Sequence, residues 1–143
     1  MSSNSQALLL PLLGHFGLVV VLYACLTLLR ARAVANGQVQ LADFAKANSD
    51  PRRSSRVQRN LSNQFEAPMF VYFAAAVLLA AGAVQWWDVA AAWLFFAGRV
   101  IHTLVQTLTD NVALRGQVFV INFLGVAVLM GHVAVLAFSG SPR

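Results

Sequence analysis

Arg59, Asn63 and Glu66 follow one another at helical spacing and run straight into an apolar segment. Together with Arg56 they fall within about 80° of one another on a helix of 3.6 residues per turn, so they form a stripe on one face. A later segment repeats the pattern. Arg99, His102, Thr103, Gln106 and Asp110 share an arc of about 100°, opposite a face of Leu, Val, Ala and Phe. Arg99 is the eleventh residue of the apolar stretch 89–108, too deep to be an end residue. Charges at membrane depth face the bundle interior and pair with one another. The one carboxylate at comparable depth is Glu66, so a Glu66 to Arg99 pair is expected, serving either a site or helix register. A proton-coupled exporter using Glu66 is the weaker reading, because flanking arginines hold such a carboxylate ionised.

Other chemistries find little support. His15, His102 and His132 lie in three different segments without HxxE or HxxxH spacing, so no metal site is expected from sequence. The single cysteine, Cys25, allows neither an internal disulfide nor a CxxC redox motif. Asn122 and His132 are expected to hydrogen-bond between helices.

The elements that must position these residues follow from composition. The chain is 59% hydrophobic and 10% charged, against roughly a quarter charged in soluble domains. A membrane-spanning helix needs about 20 apolar residues, and stretches 7–29, 65–84, 89–108 and 118–138 meet that length. The expected fold is therefore all-α, an integral membrane bundle of four helices over about 7–32, 52–83, 88–110 and 114–138 in a single domain. The first stretch is read as a retained helix rather than a signal peptide, because its leader MSSNSQ is uncharged and its arginines come after the apolar core. Seven of the ten basic residues lie between Arg30 and Arg59, so the positive-inside rule places the loop 33–51 in the cytoplasm and both termini on the opposite side. The net charge of +5 then reflects membrane-flanking loops and attraction to anionic headgroups rather than nucleic acid. Nine arginines against one lysine, with abundant alanine, suit a GC-rich bacterial genome and an inner-membrane setting.

Boundaries are marked by turn chemistry. Asn36 and Gly37 stop the first helix, Asp50 and Pro51 read as the N-cap and first position of the second, and Gly82 can end it. Trp86 and Trp87 suit an interfacial belt, and Asp88 is a candidate cap for the third helix. The segment 109–116 forms the turn into the fourth.

The string RVQRNLSNQFEAPMF, Arg56 to Phe70, resembles the second-helix signature of the membrane-associated proteins in eicosanoid and glutathione metabolism, the MAPEG family. GRVIHTL, Gly98 to Leu104, and Arg115 are similar to that family's third- and fourth-helix signatures, with Arg30 or Arg32 as a first-helix counterpart. The resemblance implies a homotrimer in the lipid bilayer, with glutathione as co-substrate between neighbouring subunits near the cytoplasmic side. It further implies that Arg59, Asn63, Glu66, Arg99, His102 and Gln106 bind the tripeptide, with Arg115 or Arg30 activating its thiol. A hydrophobic electrophile or lipid hydroperoxide would be the second substrate of this transferase or peroxidase chemistry. Two tyrosines of the family pattern are replaced by Gln106 and Phe119, which supports the alternative of a non-catalytic scaffold or lipid-binding protein of the same fold.

Overall fold

Helix formation follows the apolar runs, and the breaks follow proline, glycine and capping side chains. The computed structural model describes residues 2–46 and 49–139, and all regular structure among them is helical. The order is α1 (Ser3–Ala35), a short 3₁₀ turn (Leu41–Ala45), α2 (Arg52–Asn63), α3 (Ala67–Ala80), α4 (Trp86–Leu108) and α5 (Val112–Ser139). Four spans are long and apolar enough to cross a membrane: Ser3–Ala35, Arg52–Ala80, Trp86–Leu108 and Val112–Ser139. Each span also exposes large apolar side chains, among them Leu13, Phe16, Met69, Phe73, Ile101, Leu104, Val120 and Leu124. That outer surface suits lipid rather than water.

α1 begins earlier than the apolar run because Ser2 Oγ accepts the Ser5 N–H at 3.2 Å. It ends where Gly37 takes φ +66°, a left-handed conformation that costs a residue without Cβ nothing. The Gly37 and Gln38 amides then bond the carbonyls of Val34 and Ala33.

The second span, expected as one helix, is two. Pro68 stands at the second position of α3, where it cannot donate to the Gln64 carbonyl and its ring crowds that same carbonyl. α2 therefore stops at Asn63, and Gln64 to Glu66 form a break between it and α3. Caps also differ from expectation. Pro51, not Asp50, is the N-cap of α2, because the Asp50 carboxylate is taken by Arg30, with Nε to Oδ1 at 2.9 Å and Nη2 to Oδ2 at 2.6 Å. At the head of α4 the N-cap is Gln85, and Asp88 closes the capping box from the third position by accepting the Gln85 N–H at 2.8 Å.

Two apolar cores are separated by a polar layer. One joins Leu8 and Leu12 of α1 to Val71, Ala74 and Leu78 of α3, Ala92 and Phe95 of α4, and Val126 and Leu129 of α5. The other packs Leu22 and Leu26 of α1 on Val57 and Leu61 of α2. Between them lie the buried side chains of His15, Asn60, Gln64, Arg99 and Thr103. The bundle is also tied at the α3–α4 end, where His132 Nδ1 meets both Asp88 carboxylate oxygens at 2.9 and 3.0 Å. Asn122 does not bridge helices as expected. Its Nδ2 donates to Val118 O of its own helix at 3.4 Å, and its Oδ1 has no partner among the described residues.

α4 and α5 approach closely at Gly98, where a Cβ would stand 2.5 Å from Asn122 Cβ and 3.0 Å from its Cα. Gly98→Ala is expected to cost about 1 to 3 kcal/mol from overpacking, whereas Gly131→Ala, which faces open space, should stay within about 0.5 kcal/mol. Thermal unfolding in detergent followed by circular dichroism checks the pair. Equal midpoints for the two variants would contradict this packing.

Candidate functional site

The polar face at the end of α2 is wider than the stripe read from the sequence, and its two halves do different things. Arg56, Asn60 and Gln64, spaced four apart, face α4. Arg59 and Asn63 lie about 60° further round the helix than Arg56 and Asn60, and Glu66 follows in the break beyond it. On the α4-facing half, Asn60 Nδ2 donates to Gln106 Oε1 at 2.8 Å, and Thr103 Oγ1 donates to Asn60 Oδ1 at 3.0 Å. Gln64 Nε2 donates to Asn60 Oδ1 at 2.9 Å and reaches Thr103 Oγ1 at 3.3 Å. Toward the α4–α5 turn, Asp110 accepts from Arg52 at 2.8 Å and from Arg56. These arginines hold the Asp110 carboxyl below the ordinary carboxylate range, Arg56 contributing most.

Arg99 is fully buried, but its partner is not Glu66. Its Nε and Nη2 donate to Gln64 Oε1 at 2.9 and 2.8 Å, and Nη2 also donates to the Asn63 carbonyl at 2.8 Å. That carbonyl is free because α2 has already ended. In a continuous helix it would accept the amide of residue 67. The expected Glu66 to Arg99 ion pair is thus replaced by amide and backbone oxygens, which satisfy Nε and Nη2 without desolvating a carboxylate, while Nη1 has no partner among the described residues. Gln64 Oε1 is an acceptor, so His15 Nε2, 3.0 Å away, donates to it. The neutral ring then accepts from Tyr72 O–H at Nδ1, at 2.8 Å. Asn60 and Gln64 escaped the sequence reading, although their four-residue spacing with Arg56 was the available signal.

The other half of the arc opens a cleft of about 690 Å³. Arg59, Ser62, Asn63 and Glu66 form one wall, His102 and Gln106 of α4 the floor, and Val112, Arg115, Gly116 and Phe119 of α5 the second wall. A smaller hollow of about 280 Å³ adjoins it and shares Arg59, Gln106, Val112 and Arg115, with Arg56 and Asp110 at its edge. Six residues singled out from the sequence thus share one cleft: Arg59, Asn63, Glu66, His102, Gln106 and Arg115. Arg99 lies behind it, holding the Asn63 and Gln64 segment. Arg30 stands outside, paired with Asp50 and 4.9 Å above the Phe44 ring.

Charge and hydrogen-bond capacity in the cleft are open. Among the described residues Arg59, Arg115 and Glu66 make no ion pair, which leaves two cations and one anion facing the same space. His102 is 2% exposed with no partner at Nδ1 among the described residues, and its ring lies 6.2 Å from that of Phe119. Gln106 is different. Its Oε1 already receives Asn60 and, at 3.3 Å, Asn63. Among the described residues no three His, Cys, Asp or Glu side chains converge as a metal site would require.

Gln64→Leu strips Arg99 of its main acceptor and is expected to destabilise the protein by about 2 to 4 kcal/mol. Glu66→Gln should change stability by less than about 0.5 kcal/mol. Denaturant titration in detergent distinguishes the two, and a large loss for Glu66→Gln would restore the ion pair. At the α1–α2 loop, the hydrogen bond from Arg30 holds Asp50 below the usual carboxylate range. The resulting stability is fully present above the unfolded value of about 3.9 and is lost as pH falls through the lower folded value. Asp50→Asn should therefore lower the unfolding midpoint at pH 7 more than at pH 3, and an equal loss at both would refute the assignment.

The MAPEG family model matches residues 8–135, which takes in all four membrane-crossing helices and every wall of the cleft. No curated protein and no solved structure matches the chain. The family match covers nearly the whole length, and the chain belongs to the MAPEG family.

Proposed function

We propose that the protein is a membrane-embedded, glutathione-dependent transferase or peroxidase acting on hydrophobic electrophiles or lipid hydroperoxides. The observation that carries this reading is the charge of the cleft, two arginines against one glutamate, none of them ion-paired among the described residues. Glutathione carries two carboxylates and one ammonium group, the complementary set. Arg59 and Asn63 would hold a carboxylate, Glu66 the ammonium and His102 a polar group of the peptide. Arg115 would stand by the sulfur. A thiol of pKa about 8.5 is mostly protonated at neutral pH, and an adjacent guanidinium favours the nucleophilic thiolate. The thiolate then forms a carbon–sulfur bond as the leaving group departs, or attacks a hydroperoxide oxygen to release an alcohol, with a second thiol closing the disulfide and releasing water. Phe119 and Val112 on the α5 wall would meet an apolar substrate arriving through the bilayer. The family's homotrimeric assembly would let Arg30 approach a neighbouring subunit's cleft. The cleft lies at the arginine-rich end of the bundle, the end that the positive-inside rule places in the cytoplasm.

One observation favours the second reading, a non-catalytic scaffold. Gln106 stands where the family pattern has a tyrosine, and its oxygen is already occupied by Asn60 and Asn63. Calorimetric titration of glutathione into the purified protein, with thiolate absorbance read in parallel, decides between the two. Binding with a thiolate signal is expected. Arg59→Gln and Glu66→Gln should each weaken affinity roughly tenfold or more, and Arg115→Gln should remove the thiolate signal while binding persists. No binding at millimolar concentration would leave the scaffold.

A further inference from the structure

Accounting for the cations at the arginine-rich end leaves two over. Arg30 is paired with Asp50, Lys46 with Asp43, and Arg52 and Arg56 with Asp110, while Arg59 lines the cleft. Arg32 and Arg53 make no ion pair or side-chain hydrogen bond among the described residues. Both line one hollow of about 380 Å³ between the end of α1 and the start of α2, on a different part of the surface from the cleft. Arg52, Asn36 and Gln38 line it too, and among the described residues no carboxylate does. Its remaining wall includes Leu29, the last apolar residue before the arginines begin. Leu28 beside it is 58% exposed and continues the apolar outer face of α1.

We propose that this hollow binds the phosphate of an anionic phospholipid headgroup. A phosphodiester fits the guanidinium forks of Arg32 and Arg53, which offer bidentate donors to planar or tetrahedral oxyanions. The Asn36 and Gln38 amides supply neutral donors beside them. The lipid, rather than a soluble phosphate, is the occupant because of position: the hollow lies where the α1 hydrocarbon face gives way to charge. An acyl chain attached to the same phosphate can lie along Leu29 and Leu28. A free anion would leave that wall wet. This site does not depend on the glutathione reading.

Native mass spectrometry of the full chain in neutral detergent tests it, with dioleoyl phosphatidylglycerol, dioleoyl phosphatidylcholine and glycerol 3-phosphate as separate arms. Phosphatidylglycerol should be retained in preference to phosphatidylcholine. Arg32→Gln and Arg53→Gln should each lower that retention roughly fivefold, and Lys46→Gln, which also removes one charge, should lower it by less than about twofold. All three side chains are exposed, and size-exclusion profiles matching the parent establish that folding is intact. If the Arg32 and Arg53 variants lose no more than Lys46→Gln, the site is overturned in favour of diffuse attraction. If glycerol 3-phosphate displaces the lipid at comparable concentration, the lipid assignment is overturned in favour of a free phosphate.

Discussion

A guanidinium buried in an apolar bundle must be given oxygen atoms, and the way Arg99 receives them shapes much of the rest. On insertion scales an arginine at the centre of a spanning helix costs about 2.5 to 3.5 kcal/mol, and leaving its donors unmatched would add to that. Gln64 supplies one oxygen from its side chain, and the Asn63 carbonyl supplies another. The second is available only because the helix is interrupted there. Pro68 therefore has an effect five residues upstream of itself: it stops α2, frees the Asn63 carbonyl for Arg99, and turns Glu66 away from the buried layer into the cleft.

That arrangement separates structural polarity from binding polarity. Asn60 and Gln64, on one side of the α2 end, spend their hydrogen bonds on α4 and α1, and Arg59, Asn63 and Glu66 on the other border open space. Had Glu66 paired with Arg99, the cleft would hold cations alone and would suit a simple anion. With Glu66 released it suits a zwitterion with surplus negative charge, which is the character of glutathione. Gln106 belongs to both sets, closing the floor of the cleft while anchoring Asn60.

Much of the architecture was legible in the sequence because hydrocarbon imposes a length and a composition on each span. Gly37 ended α1 where a left-handed residue was needed, and the polar stripes of the second and third spans did meet. What escaped depended on competition between partners. Asp50 looks like an N-cap in isolation, but an arginine twenty residues away offers a stronger, bidentate bond. Asn60 and Gln64 look like ordinary amides until the width of the polar arc is measured. Depth alone points to a Glu66 to Arg99 pair. It failed because depth does not reveal that a proline will redirect the carboxylate and that a neutral oxygen stands closer.

The central claim is that the unpaired charges of the cleft, and not the other cations of this arginine-rich chain, recognise glutathione. Arginine side-chain Nε–H signals, followed by nuclear magnetic resonance in detergent with each arginine assigned by substitution, address it directly. Addition of glutathione should shift Arg59 and Arg115 while leaving Arg32, Arg53 and the buried Arg99 in place. Shifts confined to the last three, or none at saturating peptide, would contradict the account.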